Sequence, residues 1–211
     1  MYGKNIGNCC GVAGLRILCT VEEIARMNYQ LDFYSQYRQF YICDRSSTKA
    51  TDSEYFWTDE ALEDRMALEE GIIGVGTECY GPVKGEVKIV AFPSEITSAD
   101  SYDHIVEGSL ELKSGILQVL DCPNSSVELE LQLKPGFYRV RVSSSNLFTV
   151  EGDEGDDFYS IEIWPQGLSG RNVLKNTIDD KFHITLDPTT TVPFNAWLNP
   201  IRHNLRGRLI H

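Results

Sequence analysis

The sequence predicts an all-β fold: an antiparallel β-sandwich with one short inserted α-helix and irregular terminal extensions. Three observations carry this reading. Residues 127–133 run Val-Glu-Leu-Glu-Leu-Gln-Leu, a strict alternation that gives one apolar and one acid-bearing face, as in an antiparallel strand with one wet side. Short apolar segments recur at 72–79, 85–92, 105–112, 116–120, 136–143 and 158–164, punctuated by Gly, Pro, Ser and Asp. A single helical pattern is inserted among them.

The elements follow in chain order. Residues 1–28 form an N-terminal extension in which Thr20-Val21-Glu22-Glu23 has capping-box spacing and predicts a short helix through Met27. From Tyr29 the pattern is strand-like, with Leu31, Phe33, Phe40 and Ile42 alternating with polar neighbours. Residues 45–56 lack periodicity and read as a mobile loop. Trp57 precedes Thr58 and Asp59, the N-cap region of a helix expected to reach about Glu70, with Leu62 and Met66 facing the core and Gly71 ending it. Trp57 is placed to act as a hydrophobic staple. Lys134-Pro135-Gly136 has type II turn chemistry and predicts a hairpin of 127–133 with 136–143. A sandwich domain over 29–166 results. Residues 167–211 form an irregular C-terminal extension, in which Phe182–Leu186 can add one strand.

The chain has 211 residues, enough for a self-sufficient core, and a net charge of -12. Residues 167–211 hold six Lys or Arg against three Asp, so about -15 resides on 1–166. Such acidity argues against direct nucleic-acid binding, which needs cations to displace phosphate counterions. It suits a partner with a basic cleft, or simply solubility. Apolar runs are strand-sized, and no membrane span is expected. The six cysteines, at 9, 10, 19, 43, 79 and 122, have no zinc spacing and include an adjacent pair, which fits small apolar residues in a reducing cytoplasm. Arg16 and several glycines interrupt the apolar stretch near the N-terminus, arguing against an export signal.

Two acidic sets stand out. Glu151-Gly152-Asp153-Glu154-Gly155-Asp156-Asp157 places five carboxylates between two strands. An extended run could mimic phosphates at about one charge per 5 Å, given roughly 3.3 Å per residue. Clustered carboxylates also suit calcium, although the EF-hand order is absent, and a solvated turn remains open. The second set comprises Asp59, Glu60, Glu63, Asp64, Glu69 and Glu70 on the predicted helix. Tyr34, Tyr37, Tyr41, Tyr55, Phe56, Tyr80 and Tyr102 make the first half rich in aromatics, of which a few should be exposed. No hydrolase, zinc-protease, phosphate-loop or dinucleotide motif occurs. His104 beside Asp103, with Ser101 and Ser109 nearby, is the one catalytic candidate, and His183, His203 and His211 lack helical metal spacing. No cofactor or metal ligand set is expected.

The order Tyr34-Ser35-Gln36-Tyr37-Arg38-Gln39-Phe40-Tyr41, then Trp57-Thr58-Asp59-Glu60-Ala61, then Glu70-Gly71-Ile72-Ile73-Gly74 resembles the competence protein J family over roughly residues 30–166. The likeness continues through Val87–Val90, Leu133–Val140 and Asp157–Ile161. It implies a small noncatalytic inhibitor or immunity-type partner of a nuclease. In that reading Glu60, Glu63, Asp64, Glu151, Asp153, Glu154, Asp156 and Asp157 meet the basic substrate cleft of the enzyme, and exposed tyrosines bury against its rim. A calcium- or ligand-binding sandwich of the C2 kind is the alternative.

Overall fold

A computed structural model describes residues 28–51, 55–96 and 101–176. The helix expected before Met27, the strand expected at Phe182–Leu186, three of the cysteines and His183, His203 and His211 lie outside these residues. The described chain is all-β in two facing sheets, as the alternation predicts. In order it forms β1 (Asn28–Tyr34), β2 (Gln39–Asp44), α1 (Asp59–Glu63), β3 (Met66–Glu69), β4 (Ile72–Gly76), β5 (Pro82–Ile89), β6 (His104–Leu112), β7 (Ile116–Leu120), β8 (Val127–Gln132), β9 (Gly136–Ser145), β10 (Phe158–Pro165) and β11 (Asn172–Lys175). One sheet has the order β1-β5-β10-β9-β6-β11 and the other β3-β4-β2-β7-β8. Neighbours are antiparallel in the ladders of both sheets except β10 and β5, which are parallel.

The period-two pattern builds the core. Phe40, Ile42, Ile73, Val75 and Val119 from one sheet meet Val106, Leu110, Val140, Ile161 and Ile163 from the other, all nearly inaccessible. Each such side chain contributes about 1.5–3 kcal/mol relative to exposure. Strand β2 is buried on both faces. Its Tyr41 and Cys43 point away from the core and are covered by Phe56, Trp57 and Ala61. Phe40 and Ile42 read by sequence as alternating with polar neighbours, whereas Tyr41 and Cys43 between them are buried too, under that cover. Trp57 stands just before the cap, edge-on to Phe56 with ring centroids 5.6 Å apart. Phe56, assigned to the mobile loop by sequence, is part of this cover.

Three expectations change. The helix is one turn long, not twelve residues: the Thr58 hydroxyl accepts from Ala61 N at 3.2 Å, and Asp64 already caps the other end. Arg65 at φ 54° turns the chain into β3, whose Met66 and Ala67 are buried while their backbone joins the ladder of β4. Gly71, at φ 73°, serves the tight β3–β4 hairpin instead of ending a helix. Local helix propensity in Met-Ala-Leu-Glu yields here to sheet pairing.

The Pro-Gly turn does not make a hairpin. Strand β8 pairs with β7, and β9 pairs with β6 and β10, so Lys134–Gly136 carries the chain from one sheet to the other. Leu131 and Leu133 from one side and Tyr138, Val140 and Val142 from the other all enter the shared core, facing across it instead of lying side by side. The Tyr138 hydroxyl donates to the Lys134 carbonyl at 2.8 Å and fixes the crossing.

The sandwich also continues past residue 166. Arg139 donates to the carbonyls of Ser169 and Gly170, at 3.2 and 2.7 Å, and β11 then pairs with β6. Beneath these straps Glu107 accepts from both Arg139 and Arg141, at 3.1 and 2.8 Å, and Arg141 also bonds Glu162 and stacks 5.1 Å from the Trp164 ring.

Close approach of β5 and β10 depends on Gly85, where an added Cβ would stand 2.4 Å from the Tyr159 carbonyl oxygen. Backbone cannot yield as a flexible side-chain end can. Gly85→Ala is expected to lower unfolding free energy by about 1–3 kcal/mol, measured by urea titration.

Candidate protein-binding surface

The 151–157 loop and the helix carboxylates Asp59, Glu60, Glu63 and Asp64 lie at one end of the sandwich because of where the strands begin and stop. That end gathers the turn from β1 to β2, the connection from β4 to β5, the loop from β9 to β10, and α1 with its entry to β3. Side chains join these pieces. Arg65, just after α1, pairs with Glu78 on the β4–β5 connection. Arg38 lies 4.0 Å from the other oxygen of Glu78 and donates to the Gly152 carbonyl at 3.4 Å.

Local bonding shapes the acidic loop. It begins with a 3-10 turn, Leu147–Thr149, whose first amide donates to Asp103 at 2.8 Å. Glu151 and Glu154 then bond each other's backbone around Gly152, at φ 65°. Asp156 N donates to the Thr149 hydroxyl at 3.0 Å. Gly155 is required, since a Cβ there would lie 2.4 Å from a Val150 methyl and 2.8 Å from its Cα. The run is thus a folded hairpin and not the extended row that phosphate-like spacing assumed.

Its carboxylates divide. Glu151, Asp153, Glu154 and Asp156 are exposed, whereas Asp157 is buried. Asp157 accepts from Cys79 N at 3.0 Å and from the Tyr159 hydroxyl at 2.6 Å, so it anchors the loop and does not face solvent. The same inward turn removes it from any outward calcium set. Among the described residues no group of three or more His, Cys, Asp or Glu is arranged to hold a metal ion. Cys79 completes the anchor, its thiol donating to the Asp153 carbonyl at 2.6 Å. Burial first, and the charge of Asp157 second, push that thiol above its usual range.

The helix set divides as well. Glu63 is exposed, and Glu60 is exposed but lies 3.1 Å from Arg171. Asp64 is half-buried and bonded by the same guanidinium at 2.5 Å. Glu69 and Glu70 leave the site: they stand at the β3–β4 hairpin, at the opposite end, beside Lys49 and Lys113. Arg171 was not visible as a site residue from sequence, because it comes from the segment after β10 and reaches Asp64 only through the pairing of β11.

Aromatics separate in the same way. Tyr41 and Phe56 are core, Tyr102 is half-buried and Tyr55 is exposed. Tyr34 and Tyr37 stand at 59% and 38% exposure at the acidic end. Tyr37 meets Tyr80 edge-on at 6.1 Å. Ser35 locks this turn in place, donating to the Gln39 carbonyl at 2.5 Å and accepting from Cys122 N at 2.9 Å.

His104 is wholly buried, and its Nε2 lies 3.0 Å from the Asp64 carbonyl. Ser109 accepts from Arg139 and from Ser169 N instead of meeting the imidazole. The histidine thus ties β6 to the end of α1. Burial, aided by nearby Arg65, pulls its pKa down to about 4 from 6.5. The folded protein keeps it neutral while the unfolded chain takes up a proton first. Its stabilising effect is therefore full above pH 6.5 and is lost as pH falls toward 4. The loss should approach about 3 kcal/mol at about 1.4 kcal/mol per pH unit. His104→Gln, which can still donate to the carbonyl, should show a visibly flatter melting-temperature profile between pH 7 and 4.

No helix among the described residues is long and apolar enough to cross a membrane. No family model and no curated protein matches the chain by sequence. Among solved structures, the fold is similar to that of ComJ from Bacillus subtilis, inhibitor of the DNA degrading activity of NucA. The TM-score is 0.52 at 19% identity, over 65% of this chain and 95% of that one. A protein described as Crocagin biosynthetic gene J aligns with a TM-score of 0.43 at 16% identity, over 67% of this chain and 98% of its own.

Proposed function

We propose that the chain is a noncatalytic inhibitor, or immunity-type partner, of a nuclease, and that it acts by occlusion. The observation that carries the reading is the gathering of exposed carboxylates and exposed tyrosines at one end of a sandwich whose loops are bonded to each other. Glu151, Asp153, Glu154 and Asp156, with Glu60 and Glu63 at the flank, meet Lys and Arg of the substrate cleft. Tyrosines bury against the rim, and nucleic acid is excluded without any bond being cut. Charge speeds and orients such encounters while aromatic burial holds the complex. The likeness of fold to a protein that inhibits the DNA degrading activity of NucA supports a protein partner of this kind. Asp157 acts through the loop it anchors, and Asp64 through Arg171.

The test is a titration of the purified chain into DNA-cleavage assays of NucA, the nuclease that ComJ inhibits, and of other DNA-degrading nucleases. Stoichiometric inhibition is expected, with slower onset as salt rises. Reversal of Glu151, Asp153 and Glu154 to Lys should slow association about 10-fold or more at low salt. Glu69→Lys with Glu70→Lys, at the opposite end, should leave it unchanged. Equal loss in both variants, or no inhibition by the parent chain at large excess, contradicts the reading.

A further inference from the structure

The turn from β1 to β2 is built from the wrong residues for its backbone. Tyr37 and Arg38 have φ of 60° and 56°, the pair of positive values that a type I′ turn requires and that Asn and Gly accept most readily. Bulky side chains at positive φ are strained, and strain of this sort persists where the side chain is needed for something else. Arg38 has a use within the fold. Its carbonyl accepts from Thr77 N at 2.8 Å, and its guanidinium reaches Glu78 and the Gly152 carbonyl.

Tyr37 serves the fold far less. Its ring is outside the core clusters, 38% exposed, and among the described residues meets one aromatic ring, that of Tyr80, edge-on. Tyr34, at 59% exposure, continues the patch. Gly81, the neighbour of Tyr80, lies beneath its ring, where a Cβ would come within 2.8 Å of Tyr34 Cε2. Tyr37 thus meets Tyr80, Tyr34 covers the glycine that follows Tyr80, and Arg38 connects this turn to the loop carrying Glu151, Asp153 and Glu154.

We infer that Tyr37, supported by Tyr34 and Tyr80, is the aromatic anchor of the contact surface, and that it seats against Arg or Lys side chains lining a basic protein cleft. The inference rests on the occlusion reading above and adds to it the residue on which dissociation depends. Charge complementarity decides the occupant. A tyrosine face beside exposed carboxylates attracts a guanidinium or ammonium group twice, through the ring quadrupole and through the ionic field. A nucleic-acid strand, which would also stack on tyrosine, is repelled by the same carboxylates.

Tyr37→Asn separates the two roles, because Asn tolerates the left-handed backbone. The variant should melt at the parental temperature or higher. Its inhibition constant against the nuclease that the parent chain inhibits should rise about 30-fold, mainly through faster dissociation, as expected for an aromatic anchor. Tyr37→Phe should retain most of the potency. Parental potency in Tyr37→Asn, with the parent inhibiting normally, overturns this assignment and leaves occlusion standing. A fall in melting temperature of several degrees overturns it too, since Tyr37 would then serve the fold. A parent chain that does not inhibit overturns the occlusion reading and the anchor together.

Discussion

One buried carboxylate sets the shape of the acidic end. Asp157 receives hydrogen bonds from Cys79 N and from the Tyr159 hydroxyl, while the same hydroxyl oxygen accepts from Glu78 N at 2.7 Å. Burial, reinforced by the adjacent charge of Asp157, holds the Tyr159 phenol well above its ordinary pKa, so it remains a donor. The β9–β10 loop and the β4–β5 connection are thereby fixed to each other. Removing one member would leave buried polar groups unpaired, at about 1–3 kcal/mol each. The exposed charges of the loop are displayed from a rigid base, and rigid display lowers the entropy lost on binding.

Neutralisation within the molecule sharpens this picture. Ion pairs at the acidic end terminate on Glu60, Asp64 and Glu78, which receive Arg171, Arg65 and Arg38. Among the described residues, no ion pair terminates on Glu151, Asp153, Glu154 or Asp156. The cationic residues therefore consolidate the elements of this end and leave the loop with its full charge. At the opposite end Lys49 and Lys113 sit among Glu69, Glu70 and Glu111, giving a mixed surface. The asymmetry between the ends, more than the net charge, is what an acidic binding surface requires.

Alternation made the strands legible, because a half-buried strand must repeat every two residues. It also holds the signal for the Arg139 and Arg141 ladder: Tyr-Arg-Val-Arg-Val puts both guanidinium groups on one face. What failed was local pattern that two structures satisfy equally. Leu62 and Met66 are four apart, as in a helix, yet Met66 is buried from a strand. Lys134-Pro135-Gly136 makes a sharp turn, but turn chemistry does not say whether the next strand lies beside the last one or across the core. In the site, the position of the loop between two strands was readable and the exposure of each carboxylate was not. Asp157 is the last of five acids in the run, and only the tertiary positions of Cys79 and Tyr159 turn it inward. Arg171 was hidden for the same reason.

The central claim is that the end bearing Tyr37, Glu78 and residues 151–157 is the face that meets a protein partner. Hydrogen exchange of the chain, alone and mixed with a saturating excess of a DNA-degrading nuclease that it is found to inhibit, NucA being the first to try, tests this most directly. The account predicts new protection in peptides covering 35–38, 77–81 and 146–157, with no change at 45–49, 69–71 or 113–115. Protection confined to that second group, at the mixed-charge end, would contradict it.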